Sequence, residues 1–451
     1  MDVELVTIGD ELLLGFTVDT NGAWFARTVA EHGIRVVRRT TVGDEAQAVA
    51  DAVREARDRT GAVITSGGLG PTADDLTKPA LAELFGRGLT INADILRGLE
   101  ERWRARGWPG ELPKANRVQA LIPAGATVLV NHHGSAPGIW LEDERGHWVA
   151  MLPGVPREFR GMTVDELLPR LLARAQQADS APNGEGPSST PRVPTVVRSR
   201  TLRTTGIAES ALADRLGEKT LAKDPLGVPL AFLPGVDGVD LRLTVRDLPA
   251  AEADARLDAA AAALRGVVST WLYGEGETDL AALVLDALRE RGLRLAVAES
   301  CTGGMLGMRL TAIPGSSDVV AGGVIAYDDA VKIGQLGVRP ATLLARGAVS
   351  EETAREMASG ARTRVGVDIG VGITGVAGPG GGTPEKPVGT VWIAVDLRGD
   401  VRATLLSTVG DRQEVRQRST QAALALVWRT VTQDVGTDTQ GTSAASTAKG
   451  P

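Results

Sequence analysis

Apolar positions fall into two rhythms along this chain, and the rhythms alternate. In the first third, VELVTIG (3–9) and GAVITSGG (61–68) are continuous apolar runs that predict buried strands, with IRVVRRTTV (34–42) as a third. Between them, NGAWFARTVAEHG (21–33) predicts a helix capped by Asn21 and stopped by Gly33, and DEAQAVADAVREARDR (44–59) a second, opened by the capping-box pair Asp44 and Gln47. Strands interleaved with helices of this length predict a parallel sheet covered on both faces, over residues 1–174.

The rhythm breaks at 175–192, AQQADSAPNGEGPSSTPR, whose Pro, Gly, Ser and Ala predict a linker or exposed insertion. Residues 193–270 combine ESALADRLGE, the alanine-rich AEADARLDAAAAALRG and the strand VDLRLTVRD, which predicts a small α+β unit. From 271 to 431 the α/β rhythm returns. The helix TDLAALVLDALRERG ends at Gly292, and the strand LRLAVAE follows it. VVAGGVIAY, DIGVGITG and TVWIAVDL are further strands; SEETAREMASGARTR, capped by Ser350, and DRQEVRQRSTQAALALVWRTV are helices. The tail, 432–451, has almost no large apolar residues and predicts disorder. The expected fold class is therefore α/β: two α/β/α layered domains with mostly parallel sheets, joined by a small α+β domain.

At 451 residues the chain is long enough for several cores, and 43% hydrophobic with 23% charged residues is ordinary for a globular protein. A net charge of −7 argues against coating nucleic acid. The single cysteine excludes a disulfide framework and fits a reducing compartment. The N-terminus carries acids where a signal peptide carries bases, and no apolar run spans a bilayer, so the expected location is the cytoplasm, with no membrane partner.

Candidate chemistry concentrates at two strand ends. In AESCTGG (298–304), Ser300 follows a strand and precedes a glycine-containing turn into a helix, the placement of a nucleophile elbow without its G-x-S-x-G spacing. Backbone N–H groups of Thr302, Gly303 and Gly304 are candidate oxyanion donors. All four histidines (His32, His132, His133, His147) lie in the first third, so no Ser–His or Cys–His pair forms here, and Cys301 reads as a small buried apolar residue. The remaining base is a lysine. Lys332 and Lys386 are the two between Ser300 and residue 430, and a lysine serves as base once burial or a nearby cation favours its neutral form. Tyr327 either orients Lys332 or packs as core. The run GPGGG, with Gly378 and Gly380, allows close approach of backbone to a ligand.

At the other site, SGGLGPTADDLT (66–77) follows a strand and opens a helix, and Gly67, Gly68 and Gly70 with Thr72 allow a tight turn against a phosphate, without a Walker or dinucleotide spacing. Asp74 and Asp75 either cap the helix or, with Asp10 and Glu11 at the end of the first strand, hold a divalent cation, magnesium or a similar ion, against a diphosphate.

Four ordered stretches, AESCTGG, AYDDAVK, GITGVAGPGGGTPEKPVGTVWIA and GDRQEVRQR, resemble the C-terminal domain of the CinA family, a nicotinamide-nucleotide amidase. The resemblance implies that Ser300 attacks the carboxamide of nicotinamide mononucleotide, releasing ammonia and then nicotinate mononucleotide. Lys332 is then the base, Tyr327 and Thr374 are active-site residues, and no cofactor is needed. It makes Arg412 and Arg416 alternative phosphate ligands. AYDDAVK carries acids where relatives often have Ser-Asn, with the Tyr-to-Lys spacing kept.

TIGDELLLGFTVDTN, VGDE, GGLGPTADDLT, NHHGSAPG and LPGVPREF resemble the MoaB/MogA-like domain of the same family, which implies metal-dependent ADP-ribose pyrophosphatase activity. NHHGSAPG departs from the commoner N-P-x-G form. The middle unit resembles the family's KH-type domain, but it has no G-x-x-G loop, so no RNA partner is expected. The resemblance also implies a homodimer. Two alternatives stay open: a protein whose N-terminal hydrolase alone is active, and a non-enzymatic molybdopterin-binding or competence-linked protein.

Overall fold

The computed structural model describes residues 1–180 and 195–433.

The N-terminal sheet has six strands: β1 (Asp2–Ile8), β2 (Arg35–Val42), β3 (Ala62–Ser66), β6 (Thr127–Leu129), β7 (Gly138–Glu142) and β8 (Trp148–Leu152), in the order β2-β1-β3-β8-β7-β6. A separate two-stranded ribbon pairs β4 (Leu89–Ile91) with β5 (Leu121–Pro123). β2, β1, β3 and β8 run parallel, and β7 and β6 continue antiparallel. β3 and β8 are buried along their whole length, the burial of a sheet covered on both faces. Two apolar clusters result, one holding Val3, Leu5, Phe25 and Phe159, the other Val6, Val53, Leu81 and Met151.

Both predicted helix starts shift. Thr20–Ala30 is capped by Asp19, whose carboxylate accepts from the Gly22 N–H at 2.8 Å, and Asn21 sits buried inside the helix. Ala46–Thr60 has Glu45 at its cap position with no side-chain bond, and the predicted box does not form: the Asp44 carboxylate accepts from the Asp10 N–H and Gln47 donates to Asp51. A capping pattern in sequence names residue types that cap well; the strand end nearby decided which one did.

The expected linker at 175–192 begins inside a helix, Leu168–Ser180, and its remaining residues lie outside the described ones. The middle sheet has the order β10-β11-β9-β12, formed by β9 (Thr195–Thr204), β10 (Leu230–Pro234), β11 (Val239–Pro249) and β12 (Leu272–Glu275). β12 carries the unit past the expected boundary at 270. Against this sheet's α+β pattern, the helix Ala250–Val268 buries Ala253, Leu257, Ala260, Ala261, Leu264 and Val268, one face at helical spacing.

The C-terminal sheet, in the order β14-β13-β15-β16-β17, contains β13 (Leu295–Glu299), β14 (Val320–Ile325), β15 (Ile369–Gly375), β16 (Thr390–Leu397) and β17 (Asp400–Ser407). Its first three strands are parallel and its last two pair antiparallel. The β16–β17 turn is two residues, Arg398 and Gly399, both at positive φ, the tight hairpin geometry that forces antiparallel pairing. β17 has no counterpart among the predicted strands. Gly370 and Gly372 let the helix Glu351–Val365 lie directly on β15: a Cβ on either would collide with the Ala358 or Ala354 carbonyl. Ser350 caps that helix as predicted, accepting from the Thr353 N–H at 3.2 Å. The predicted tail begins at the end of the helix Arg412–Gln433; the rest lies outside the described residues. No helix among the described residues is long and apolar enough to cross a membrane.

Candidate active site

Three parallel strands bring their carboxyl ends together in the C-terminal sheet, the edge where open α/β sheets bind ligands. Ser300 leaves β13, Ala326 and Tyr327 leave β14, and Thr374 is near the end of β15. The Ser300 N–H donates to the Ile373 carbonyl at 2.9 Å, and the Ala326 N–H to the Glu299 carbonyl at 2.7 Å. Ladder geometry therefore extends one residue beyond β13 on both sides and holds the Ser300 backbone rigidly.

The turn after Ser300 is occupied differently from the sequence expectation. The Gly303 N–H donates to the Ser300 carbonyl at 3.1 Å. The buried Glu299 carboxylate accepts from the N–H groups of Gly304, Leu306 and Gly307 at 3.1, 3.0 and 2.8 Å. The helix Met305–Thr311 is thus capped by the last residue of the strand before it. Of the three expected oxyanion donors, Gly303 and Gly304 are committed, and Thr302 keeps its N–H free among the described residues.

Lys332 is the fourth residue of the helix Asp329–Leu336, which Asp328 caps. Its side chain is 2% exposed, and its Nζ donates to the Tyr327 carbonyl at 3.2 Å and the Asp329 carboxylate at 3.1 Å. No hydrogen bond joins it to Ser300. Tyr327 engages Lys332 through its backbone; its ring is 60% exposed, and its hydroxyl accepts from Arg412 at 2.7 Å. Of the two expectations for Tyr327, it meets the lysine through its carbonyl, and its exposed side chain does not pack as core. Thr374 is buried and spends its hydroxyl on the Ala348 carbonyl at 2.7 Å.

The two arginines have distinct positions. Arg412 donates to the Gly378 carbonyl at 2.7 Å and borders a cavity of about 590 Å³ with Ala377, Pro379 and Val388. Arg416 donates twice to the Thr302 carbonyl, at 2.8 and 3.3 Å, and so braces the turn after Ser300. A Cβ on Gly380 would meet open space. The lining of that cavity includes Arg412 but not Ser300, Lys332 or Thr374.

Cys301 packs in the core with Val297, Leu306 and Ile373, as expected of a small apolar residue. Burial pushes its thiol up to about 12. Because the thiolate is the reactive form, iodoacetamide at pH 8 is expected to leave Cys301 unmodified in the native protein and to alkylate it after unfolding. Mass spectrometry reads this directly, and rapid native alkylation would show the core around it to be open.

In the N-terminal sheet, a cavity of about 880 Å³ lies over the carboxyl ends of β1, β3 and β8, lined by Ile8, Ser66 and Pro153 among others. The glycine loop is shaped by the protein itself. A Cβ on Gly67 would strike the Ile8 carbonyl, and one on Gly68 the Thr77 hydroxyl. Asp75 accepts from the Gly70 N–H at 2.7 Å and from the Thr72 N–H and hydroxyl at 2.8 and 2.6 Å. Those donors, expected to meet a phosphate, are satisfied internally.

The expected cation ligands do not form a set. Asp75 is bound to the loop, Asp10 accepts from the Asp44 N–H at 3.2 Å, the Glu11 carboxylate lies against Gly9, and Asp74 is exposed. Among the described residues no three of His, Cys, Asp or Glu converge on a point that would hold a metal ion. The residues present do not fit the implied divalent cation.

Sequence reasoning missed the buried Glu299 and the half-exposed Asp329, although both stand inside the quoted motifs; nothing in a motif says which N–H or amine a carboxylate will meet. It also missed Lys78, which is fully buried, donates to the Val118 carbonyl at 2.8 Å, and is brought down to about 8 by burial.

Residues 277–431 match the family model "CinA C-terminal domain", 4–173 match "Probable molybdopterin binding domain", and 199–274 match "Damage-inducible protein CinA KH domain". The chain is 59% identical over 441 residues to a CinA-like protein of Gemmatimonas aurantiaca, covering 98% of this chain and 99% of that one. It is 41% identical over 431 residues to a putative competence-damage inducible protein of Moorella thermoacetica, covering 96% and 99%. Among solved structures, the competence/damage inducible protein CihA from Agrobacterium tumefaciens is 41% identical and covers 33% of this chain and 91% of that chain, with a TM-score of 0.32.

Proposed function

Because the chain belongs to the CinA family, we propose that its C-terminal domain is a serine amidase that converts nicotinamide mononucleotide to nicotinate mononucleotide and ammonia. The observation that carries this reading is the buried amine of Lys332, bound to the carbonyl that follows β14, beside the strand that delivers Ser300. A lysine is costly to bury, and one at the ligand edge of a sheet beside a serine has the makings of a general base.

In its neutral form Lys332 takes the Ser300 hydroxyl proton while Oγ attacks the carboxamide carbon. The Thr302 N–H is the donor left for the oxyanion. Lys332 then returns the proton to the departing amine, and water cleaves the acyl ester to give the carboxylate. Arg412, bordering a cavity, is the phosphate ligand in this reading, and Arg416 is the brace that holds the Thr302 turn.

We extend the proposal to the N-terminal domain as a nucleotide site of ADP-ribose size. Its 880 Å³ cavity falls in the range of small-molecule sites. No metal step is assigned, since the carboxylates do not assemble.

The test is conversion of nicotinamide mononucleotide by the full chain in EDTA, followed by chromatography, with ADP-ribose plus a divalent metal in parallel. Conversion in EDTA is the expected outcome. Absence of conversion, with ADP-ribose cleaved, would leave the N-terminal hydrolase as the function. Absence of both, with pterin bound, would leave the non-enzymatic reading.

A further inference from the structure

The helix Met305–Thr311 opens on Gly304, which has no side chain to cap it, and the hydroxyls just ahead of it in the chain are those of Thr302 and Ser300. Serine and threonine are common helix caps, and a Ser300 hydroxyl spent that way would be withdrawn from chemistry. Here the cap comes from outside the turn. Glu299 is 1% exposed at the end of β13, and its Oε2 accepts from the Gly304 and Leu306 N–H groups at 3.1 and 3.0 Å. Its Oε1 accepts from the Gly307 N–H at 2.8 Å. Three donors meeting one side chain call for a carboxylate, since an amide has a single oxygen and would set its own N–H groups against the third donor. Gly303 and Gly304, at φ 59° and 93°, bring the chain round to that carboxylate.

Ser300–Gly303 is a β-turn, closed by the Gly303 N–H on the Ser300 carbonyl at 3.1 Å. Its last peptide is held from both sides, because Arg416 donates to the Thr302 carbonyl at 2.8 and 3.3 Å. The peptide before it carries the Thr302 N–H, which has no acceptor among the described residues. The Ile373 carbonyl fixes the entry to the turn through the Ser300 N–H, and Glu299 fixes the exit through Gly304. A planar peptide between two anchored ones keeps little freedom. This geometry has an electrostatic cost, since a carboxylate next to Ser300 in sequence opposes negative charge forming at the site. The sign of its effect on turnover therefore separates grip from charge.

We infer that Glu299 is a positioning residue: by capping the helix Met305–Thr311 in place of a hydroxyl from the turn, it leaves the Ser300 Oγ to react and holds the Thr302 N–H on the oxygen of the tetrahedral intermediate. This assignment rests on the serine-amidase reading. Glu299 touches neither substrate nor phosphate in it, so it acts on kcat and not on KM.

The experiment compares the wild type, Glu299→Gln and Glu299→Asp as full chains. Each is followed by thermal melting, by steady-state conversion of nicotinamide mononucleotide, and by labelling of Ser300 with a fluorophosphonate, read by mass spectrometry. Glu299→Gln keeps the shape and loses one acceptor; Glu299→Asp keeps the charge and withdraws it by one methylene, so it carries the test if the glutamine variant does not fold. Both are expected to have kcat about 10²-fold lower with KM within about threefold of the wild type, the pattern of a displaced donor felt in the transition state. The rate constant for labelling Ser300 should fall too, while the final extent of labelling is unchanged. A merely structural role gives the reverse, fewer labelled molecules at an unchanged rate constant. The assignment is overturned by that reverse pattern, by a kcat per folded molecule that rises or stays within about threefold of the wild type, or by loss of folding in both variants. The wild type separates this assignment from the reading beneath it. Labelling of Ser300 without conversion removes the amidase reading and leaves Glu299 to be judged on the labelling constants. Conversion without labelling leaves it to be judged on kcat and KM. A wild type that does neither overturns both.

Discussion

Ser300→Ala is expected to lower conversion of nicotinamide mononucleotide by on the order of 10⁴-fold or more, to the level of residual binding and oxyanion stabilisation. The structure makes this variant a clean test. The Ser300 backbone is held by the Ile373 carbonyl on one side and by the Gly303 N–H on the other, and neither contact uses the side chain. Losing Oγ therefore leaves the strand end and the turn in place, and the melting temperature should barely change. Cys301→Ala is the matched control. Its thiol is core, so that variant should lose stability, by roughly 1 kcal/mol for a small buried group, and keep turnover. Retained activity in Ser300→Ala, measured by the same chromatographic assay, would remove the serine from the mechanism.

Lys332→Met carries the second large effect. Loss of a general base costs on the order of 10²–10⁴-fold, and methionine fills most of the volume of the lysine stem. The amine now bonds to the Tyr327 carbonyl and the half-exposed Asp329 carboxylate. Replacing a buried, paired cation with an apolar group of similar size is often neutral or stabilising. The expected result is thus a protein that melts at or above the wild-type temperature and does not turn over substrate. A drop in melting temperature matching the loss of activity would make Lys332 a structural residue. Lys332→Arg should also be inactive, because a guanidinium stays protonated. Asp329→Asn addresses the pairing itself: it removes the carboxylate charge while keeping an acceptor for the amine, and turnover should rise or hold, whereas a fall would show that Asp329 positions the lysine.

The alternation of rhythms along the chain was enough to delimit most strands and helices, because periodicities of two and near four residues are consequences of local backbone geometry. It placed TVWIAVDL at the residues of β16 and AESCTGG at the carboxyl end of β13. Burial of Cys301 was legible as well, since no histidine elsewhere in its domain could make it reactive. The motifs also brought Ser300, Tyr327, Lys332 and Thr374 to one sheet edge, given the parallel β13, β14 and β15.

What each polar atom does there was decided by tertiary structure alone. The hydroxyl of Thr374 turns to Ala348, 26 residues away; Arg412 reaches Tyr327 across 85 residues, Arg416 reaches Thr302 across 114, and Asn21 reaches Gly154 across 133. Such partners depend on strand order and register, which are set by summing apolar burial over a whole layer rather than by any local pattern. Asp75 shows the same division: its place at the end of a glycine loop is written in the chain, but that its carboxylate closes the loop by accepting from the Gly70 and Thr72 N–H groups is seen only in the folded loop. Sequence determined where the reactive residues stand along their elements; folding determined which of their hydrogen-bonding groups remain free to react, because a buried donor or acceptor binds whatever partner the packed layers bring within reach.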